Sequence, residues 1–586
     1  MNADLLFKHF ARLSDTSEAI SRLRQFILDL AVRGKLVEQD SSDEPAIKLL
    51  KRLQTERLRQ IKNGKVRNQN SVEASVEDDW PFKIPASWAW CRLYEIGAIV
   101  GGGTPPSGDP SNFAPAGTGF RWLTPADLGG HSDLYISHGA RDLTAQGLHS
   151  SSATMMPKGS VLFTSRAPIG YTAISANDIS TNQGFKSVVP FIPETNIYIA
   201  LYLRAFRRWI DSQASGTTFR EVSGKIVARL PFPLPPLAEQ RRIVTKVDEL
   251  MAFCDRLEDA GAQREAKRDR LTAATLARLN APAPEARRFA ADAQFALGNL
   301  AAITKRSDQL KQLRQTILSL AIRGRLAPQD PTDKPASQLI SEIASTRKRL
   351  YEAKKIPKPS QLPAIPESDH PFRLPCGWCW SRLGDICYQV SDGPHFSPQY
   401  VRKEEGVPFL STRNVRLEGF DLSTVKYVSQ SDHELFCKRI RPEKGDIIYT
   451  KGGTTGIAKV NDLDFDFSVW VHLAVLRIEK EKLLPRYVEL ALNSPHCYEQ
   501  SQLYTRGISN FDLGLTRMIK ITLPLPPLPE QRRIVAKVDE LTALCDRLEA
   551  HLSTTENEGR RLLEAVLHDA LKDNQEQIVQ PEAVHG

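Results

Sequence analysis

Apolar residues at Ile20, Leu23, Ile27 and Leu30 stand three and four positions apart, the spacing that lines one face of a helix, and Leu310, Leu313, Ile317 and Leu320 repeat it. Gly34 and Gly324 follow as helix stops. Second helices are predicted from Pro45 to Ile61 and from Pro335 to Lys355. The polar stretch KNGKVRNQNSVEASVEDD comes next in the first case and the proline-rich IPKPSQLPAIPESDHP in the second; neither has the composition to build a core. From Trp80 to Pro235, and again from Pro371 to Pro526, the pattern changes to short β-type runs broken by Gly, Pro, Asn and Asp. GSVLFTSRAPIGYTAIS and GDIIYTKGGTTGIAKV read as strand-turn-strand segments, with β-branched and aromatic residues on both sides of a Gly-containing turn. Prolines forbid helix up to Pro236 and Pro527, and a helical pattern begins at once after each. There Ile243, Val247, Leu250, Cys254 and Leu257, matched by Ile534, Val538, Leu541, Cys545 and Leu548, step by four and three as a heptad seam. Continued to about Leu279, the first of these helices is on the order of 60 Å long at 1.5 Å per residue.

The same sentences are thus written twice. PPLAEQRRIVTKVDEL (Pro235 to Leu250) returns as PPLPEQRRIVAKVDEL (Pro526 to Leu541), LRQFILDLAVRGKL as LRQTILSLAIRGRL, and KIPASWAWCRLYEIG as RLPCGWCWSRLGDIC, each about 290 positions later. A constant offset over separated blocks means two tandem units read in the same order. The predicted fold is α+β: two globular mixed α/β domains separated by two long helices packed as an antiparallel coiled coil, with an internal pseudo-twofold repeat. The expected boundaries are an N-terminal helical segment at 1–62, a first globular domain at 80–236, a central helix at 237–280, a repeated helical segment at 298–356, a second globular domain at 371–527 and a distal helix at 528–573. APAPEARR is read as the linker between units.

Composition sharpens the picture modestly. Lys and Arg number 78 against 69 Asp and Glu, a formal charge of +9 that favours a polyanionic partner such as nucleic acid. Eight cysteines without a dense framework suit reduced thiols and a cytoplasmic location. No apolar signal region opens the chain and no run of eighteen apolar residues occurs, so neither secretion nor a membrane span is expected.

Four sequence patterns then carry a resemblance. The PLPPLAEQRRIVTKVDEL stretch closing each domain, GGTPPSGDPSNF with FRWLTPADL (Gly102 to Leu128), PKGSVLFTSRAPIG followed by STNQGFKS, and DGPHFSPQY together resemble the specificity subunit of type I restriction-modification systems. The resemblance implies a non-catalytic DNA reader whose two target recognition domains each take half of an asymmetric split site in double-stranded DNA. It further implies that the helices set the gap, and that the repeated regions bind two adenine-N6 methyltransferase subunits, with restriction/translocase subunits added. No cofactor is expected on this chain, since S-adenosylmethionine belongs to the methyltransferase partner.

Reading a duplex takes Arg or Lys for guanine and phosphate, and Asn or Gln for adenine, with Ser and Thr less selective. The first domain offers Thr164, Ser165, Arg166, Asn182, Gln183, Lys186, Thr217, Thr218 and Arg220 in its turns. The second offers His395, Thr412, Arg413, Asn414, Lys451, Thr454, Thr455, Arg506, Ser509 and Asn510. Asn182, Gln183 and Thr217 suit local turn bonding equally well, whereas Arg166, Lys451 and Arg506 sit in Gly-rich turns that can approach phosphate, and His395 suits a structural role. The units share their helices and domain edges but not these turns, FTSRAPIG standing against YTKGGTTG. A partner met twice would see the shared surface; two different half-sites would be read by the unshared one. Cys376 and Cys379 have zinc-like spacing without a second pair, so no metal is expected, and Trp88, Trp90, Trp378 and Trp380 read as core anchors. Two other classes compete with the reader: a fused methyltransferase or nuclease, against which stands the lack of an NPPY-type tetrapeptide, and a purely structural coiled-coil bracket.

Overall fold

The computed structural model describes residues 18–64, 80–131, 133–166, 168–215, 220–281, 286–507 and 511–571. They group into two compact units, one running to Gln263 and taking in the chain from Glu556 onward, the other Arg264–Thr555. Both divisions fall inside a long helix, Leu237–Leu279 or Leu528–Leu571.

In the first unit the predicted helical pair forms as Ala19–Val32 and Ala46–Lys62. The first buries Leu23, Ile27 and Leu30, the face read from the spacing. Gly34 ends it at φ +68°, in a place where a Cβ would stand 2.5 Å from a Pro85 ring carbon; only glycine suits both the dihedral and the contact. The β-rich domain consists of a five-stranded sheet ordered Gly97–Gly101, Lys186–Pro190, Val161–Phe163, Thr172–Ser175, Tyr135–Ile136, and a four-stranded sheet ordered Phe113–Pro115, Arg141–Leu143, Phe120–Leu123, Ser180–Thr181. A two-stranded ribbon, Ala89–Arg92 against Pro231–Leu234, leads into the long helix.

The second unit repeats this plan. Its helical pair is Ser307–Ile322 and Ala336–Glu352. Its sheets are Cys387–Asp392, Leu473–Ile478, Ile447–Thr450, Ala458–Val460 and Tyr400–Val401, Lys426–Val428, Val407–Leu410, Ser468–Val469, and its ribbon pairs Cys379–Arg382 with Thr522–Leu525. Both strand-turn-strand segments are antiparallel pairs, Val161–Phe163 with Thr172–Ser175 and Ile447–Thr450 with Ala458–Val460.

The sixteen-residue repeat is a joint, and three of its polar letters, the first Glu, the Gln and the second Arg, hold it in both units. Trp88 Nε1 donates to Glu239 at 2.9 Å, and Trp378 to Glu530 at 2.9 Å. Gln240 and Gln531 each donate to the carbonyl of the proline that opens the motif, at 3.0 Å. Arg242 pairs with Asp43 at 2.5 Å and Arg533 with Asp333 at 2.7 Å, tying each long helix to the loop after its short one. Buried Tyr198 and Tyr487 donate to the ribbon carbonyls of Pro233 and Pro524. Between them these bonds fix the angle at which the domain leaves the helix, because a buried donor without its acceptor costs about 1–3 kcal/mol.

The seam residues do more than pair two long helices. Ile243, Val247, Leu250 and Cys254 are buried in the same core as Leu23, Ile27 and the domain, with Leu257 half-buried at its edge. Ile534, Val538 and Cys545 occupy the matching core of the second unit, with Leu541 and Leu548 half-buried. Arg24 holds Asp255 and Glu258 at 2.6 and 2.7 Å, and Arg314 holds Asp546 and Glu549 at 2.7 and 3.0 Å. The short amphipathic helix of each unit therefore shares the seam.

Within the second unit, chain direction can be read from these contacts. Arg306 pairs with Glu265 and Asp269, and Arg323 donates to the carbonyl of Asn280, so Ser307–Ile322 runs with the end of the first long helix. Arg314 meets Asp546 and Glu549 while Asp333 meets Arg533, so the same helix runs against the second. The two long-helix segments in this unit are therefore antiparallel. This is also why the division between units falls at 263/264: beyond that point the first long helix packs on the following unit. APAPEARR, read as linker, is helical from Ala286 onward as part of Ala286–Gly298, because Phe289, Ala293 and Ala296 recur at helical spacing and pack on the second core. Among the described residues no helix is long and apolar enough to cross a membrane.

Candidate nucleic-acid interface

Each domain carries its turn residues on one backbone framework, which the hydrogen bonds superpose. Thr164 Oγ1 accepts from Tyr171 N at 2.8 Å, and Thr450 Oγ1 from Ile457 N at 2.9 Å. Ser165 N donates to Gly184 O and Lys451 N to His472 O; Val222 N donates to Ser165 O and Leu513 N to Lys451 O; Asn182 N donates to Leu123 O and Trp470 N to Leu410 O. Thr164 thus corresponds to Thr450, Ser165 to Lys451, Arg166 to Gly452, Asn182 to Trp470 and Gly184 to His472. Side chains differ at nearly every matched position of an unchanged scaffold.

Several of the sequence candidates turn out to be scaffold. Thr164 and Ser165 are fully buried; the first spends its hydroxyl on the carbonyl of Pro168, the second on that of Gly184. Asn414 is buried, accepting from Ser411 N and donating to Asp421 O, and Thr455 is buried among Gln502 and Thr505. Lys451 is 4 % exposed and lies between Asp512 at 3.0 Å and the buried Asp392 at 3.4 Å. A charge sealed between two carboxylates is not available to a phosphate. Asn182 Oδ1 accepts from Gly184 N at 2.8 Å, closing an Asx turn.

The others reach solvent in whole or part. Arg166, about one-third exposed, faces Glu221 at 3.6 Å, and Lys186 meets the same carboxylate at 3.1 Å. Gln183 is exposed and bonded to Thr104. Arg220 is exposed and donates to the carbonyl of Asp211 at 2.6 Å. His395 is exposed at 3.2 Å from Asp392, which Arg439 also holds at 2.6 Å. Thr454 and Arg413 are exposed, Thr412 is half-buried, and exposed Arg506 donates to Leu503 O at 2.9 Å. Thr217, Thr218, Ser509 and Asn510 lie outside the described residues. The described stems of those two segments correspond, Ser215 bridging Glu221 in the first domain and Arg506 bridging Asp512 in the second. Glu221 and Asp512 are therefore matched carboxylates at a loop base, held by Arg166 and Lys186 in one domain and by Lys451 in the other.

Sequence reasoning missed Trp470, His472, Asp392 and Arg439. Trp470 and His472 stand edge to face with ring centroids 4.7 Å apart. Burial first, and the neighbouring Lys451 next, hold the His472 imidazole below its ordinary pKa, which favours the neutral ring. The twin signal available in the sequence, WVHLAV against NQGFKS, was obscured by a two-residue difference in the intervening turn.

Comparison with known proteins agrees with this doubled plan. The family described as "Type I restriction modification DNA specificity domain" matches twice, over residues 85–268 and 375–555. The type I restriction enzyme EcoAI specificity subunit of Escherichia coli is 28 % identical, with 94 % of each chain covered. The EcoEI specificity subunit from the same species is 26 % identical, again over 94 % of each. A solved chain described under "complex assembly and conformational transition of the type I R-M system" shares 21 % identity at a TM-score of 0.49, covering 84 % of this chain and all of that one.

Proposed function

We propose a function from one premise: the chain belongs to the type I restriction modification DNA specificity family, as a specificity subunit, the non-catalytic DNA-recognition component of such a system. Each β-rich domain reads one half of a split duplex site, and the halves differ. The observation that carries this is the framework repeat: matched bonds at Thr164/Thr450 and Ser165/Lys451 hold turns whose neighbouring side chains differ, Arg166 against Gly452, Asn182 against Trp470 and Gly184 against His472. A single symmetric target would favour like side chains on like scaffolds, and direct readout assigns different bases to different donors and acceptors.

The exposed set, Arg166, Gln183, Lys186 and Arg220 in the first domain with His395, Thr412, Arg413, Thr454 and Arg506 in the second, supplies the contacts in this reading. Thr217, Thr218, Ser509 and Asn510, which fall in sequence between Ser215 and Glu221 and between Arg506 and Asp512, are taken into the same role on residue type alone. The twice-written joints, being alike, suit a partner met twice, which we take to be two adenine-N6 methyltransferase subunits carrying S-adenosylmethionine, with restriction/translocase subunits added to that complex. The long helices set the gap between half-sites.

Mapping methylated adenines in a genome with and without the chain, the methyltransferase subunit being present in both, tests this. The expected result is one interrupted, asymmetric motif that appears only with the chain. A palindromic motif, an uninterrupted one, or methylation independent of the chain would overturn the reading.

A further inference from the structure

The matched frameworks differ by an exchange of bulk across one gap. In the second domain, a Cβ built on Gly452 would stand 1.9 Å from His472 Nδ1 and 2.6 Å from its Cγ. A side chain at 452 and the ring at 472 therefore exclude each other. In the first domain the corresponding pair is reversed: Arg166 carries the side chain and Gly184 carries none, with Pro125 only 2.8 Å from where a Gly184 Cβ would be. At this place of the common scaffold each domain thus carries a side chain on one of the two matched positions only, an arginine at 166 in the first and a histidine at 472 in the second, the first domain's vacant position being closed by Pro125 and Asn182.

We infer that this place is a reading slot, occupied by Arg166 in the first recognition domain and by His472 in the second, and that its occupant decides one base pair of each half-site. The inference rests on the DNA-reading function proposed above and deepens it by naming a specificity-determining position. Three observations support it. First, the slot lies among the turns where the two domains share backbone and diverge in side chain. Second, among the described residues His472 Nδ1 is buried against Gly452 without a hydrogen-bond partner, an unusual state for a polar atom, while the ring as a whole is only half-buried. With Nδ1 buried, the ring would meet a base edge through Nε2, as donor or acceptor according to its tautomer, whereas an arginine in the same slot favours the paired acceptors of guanine. Third, the scaffold under the slot is charge-satisfied without His472, since Lys451 is already held by Asp392 and Asp512. Structure alone therefore gives the ring no internal task beyond its edge contact with Trp470.

The test uses the full chain in complex with its methyltransferase subunit, on duplexes carrying every base at each position of the second half-site. The double variant Gly452→Arg with His472→Gly recreates the first domain's arrangement. It is expected to change preference at one base pair of the second half-site by about tenfold or more, and to leave the first half-site and the gap as they were. Gly452→Arg alone is expected to lose second-half recognition through the clash, so that His472→Gly rescues it, a non-additivity that a merely exposed residue would not give. His472→Asn, which keeps a small polar group in the slot, serves if the double variant fails to fold, and is expected to relax the same single position. Unchanged preference, or a uniform loss at all positions in a folded complex, would overturn the slot. If the unsubstituted complex methylated no split site, the underlying function would fall instead.

Discussion

Replacing Glu239 or Glu530 by alanine is expected to cost each unit about 1.5–3 kcal/mol, the range for a hydrogen bond to a charged group whose donor is then left buried. Both carboxylates are 1 % exposed at the start of a long helix. Glu239 takes the indole N–H of Trp88 at 2.9 Å and the amide of Gln39 at 2.6 Å; Glu530 takes the indole N–H of Trp378. Alanine strands those donors. Glutamine behaves differently, because burial pushes both carboxyls up from their ordinary range while the tryptophan bond only partly offsets it. A raised folded value means that the folded chain binds the proton more tightly than the unfolded one. The ionised carboxylates therefore add nothing unfavourable below the unfolded value near 4.3 and an increasing penalty as pH climbs through the raised folded value. Glu239→Gln and Glu530→Gln are expected to hold or raise stability at neutral pH and to flatten its decline as pH rises from about 4.3. Denaturant unfolding across that range checks both; a loss for Gln as large as for Ala would contradict the assignment.

Ile243→Ala and Ile534→Ala are expected to destabilise by 2–5 kcal/mol each, the range for a large aliphatic side chain removed from a packed core. Both isoleucines are wholly buried, one at each unit's seam. Hydrogen exchange is the informative readout, since two units need not unfold as one. Ile243→Ala should lower protection in Ala19–Val32 and the start of Leu237–Leu279, and Ile534→Ala in Ser307–Ile322 and the start of Leu528–Leu571, because each seam shares its core with the short helix of its own unit. Equal loss throughout the chain in either variant would show that the seams are not local to their units.

What the sequence disclosed was what recurs. The helices ending at Gly34 and Gly324, the strand pairs around the Thr164 and Thr450 turns, and the seam positions Ile243 and Ile534 follow from spacing and from repetition, both of which are linear properties. The tasks of the repeated polar letters were also within reach: Glu239 and Glu530 stand 151 and 152 positions after Trp88 and Trp378, and Arg242 and Arg533 stand 199 and 200 after Asp43 and Asp333. The recognition turns were opaque for a physical reason. Burial there switches within a few residues and without a period, so Lys451 falls between two carboxylates while Thr454, three positions on, is exposed. Their carboxylate partners come from distant segments, Asp392 and Asp512, which no local pattern links. The slot at Gly452 and His472 was hidden in the same way, its two sides lying twenty residues apart, one just past the strand Ile447–Thr450 and the other just before Leu473–Ile478.

The proposed function turns on one claim, that the long helices set the gap between two unlike half-sites. Seven residues of heptad sequence added after Gln263, with seven more after Thr555, lengthen both helices where one unit gives way to the other while nearly preserving seam phase. At 1.5 Å per residue this adds about 10 Å, or about three base pairs at 3.4 Å each. Mapping methylated adenines directed by the lengthened chain should return the two original half-sites with a gap wider by about three base pairs. An unchanged gap, or altered half-sites at either end, would contradict the account.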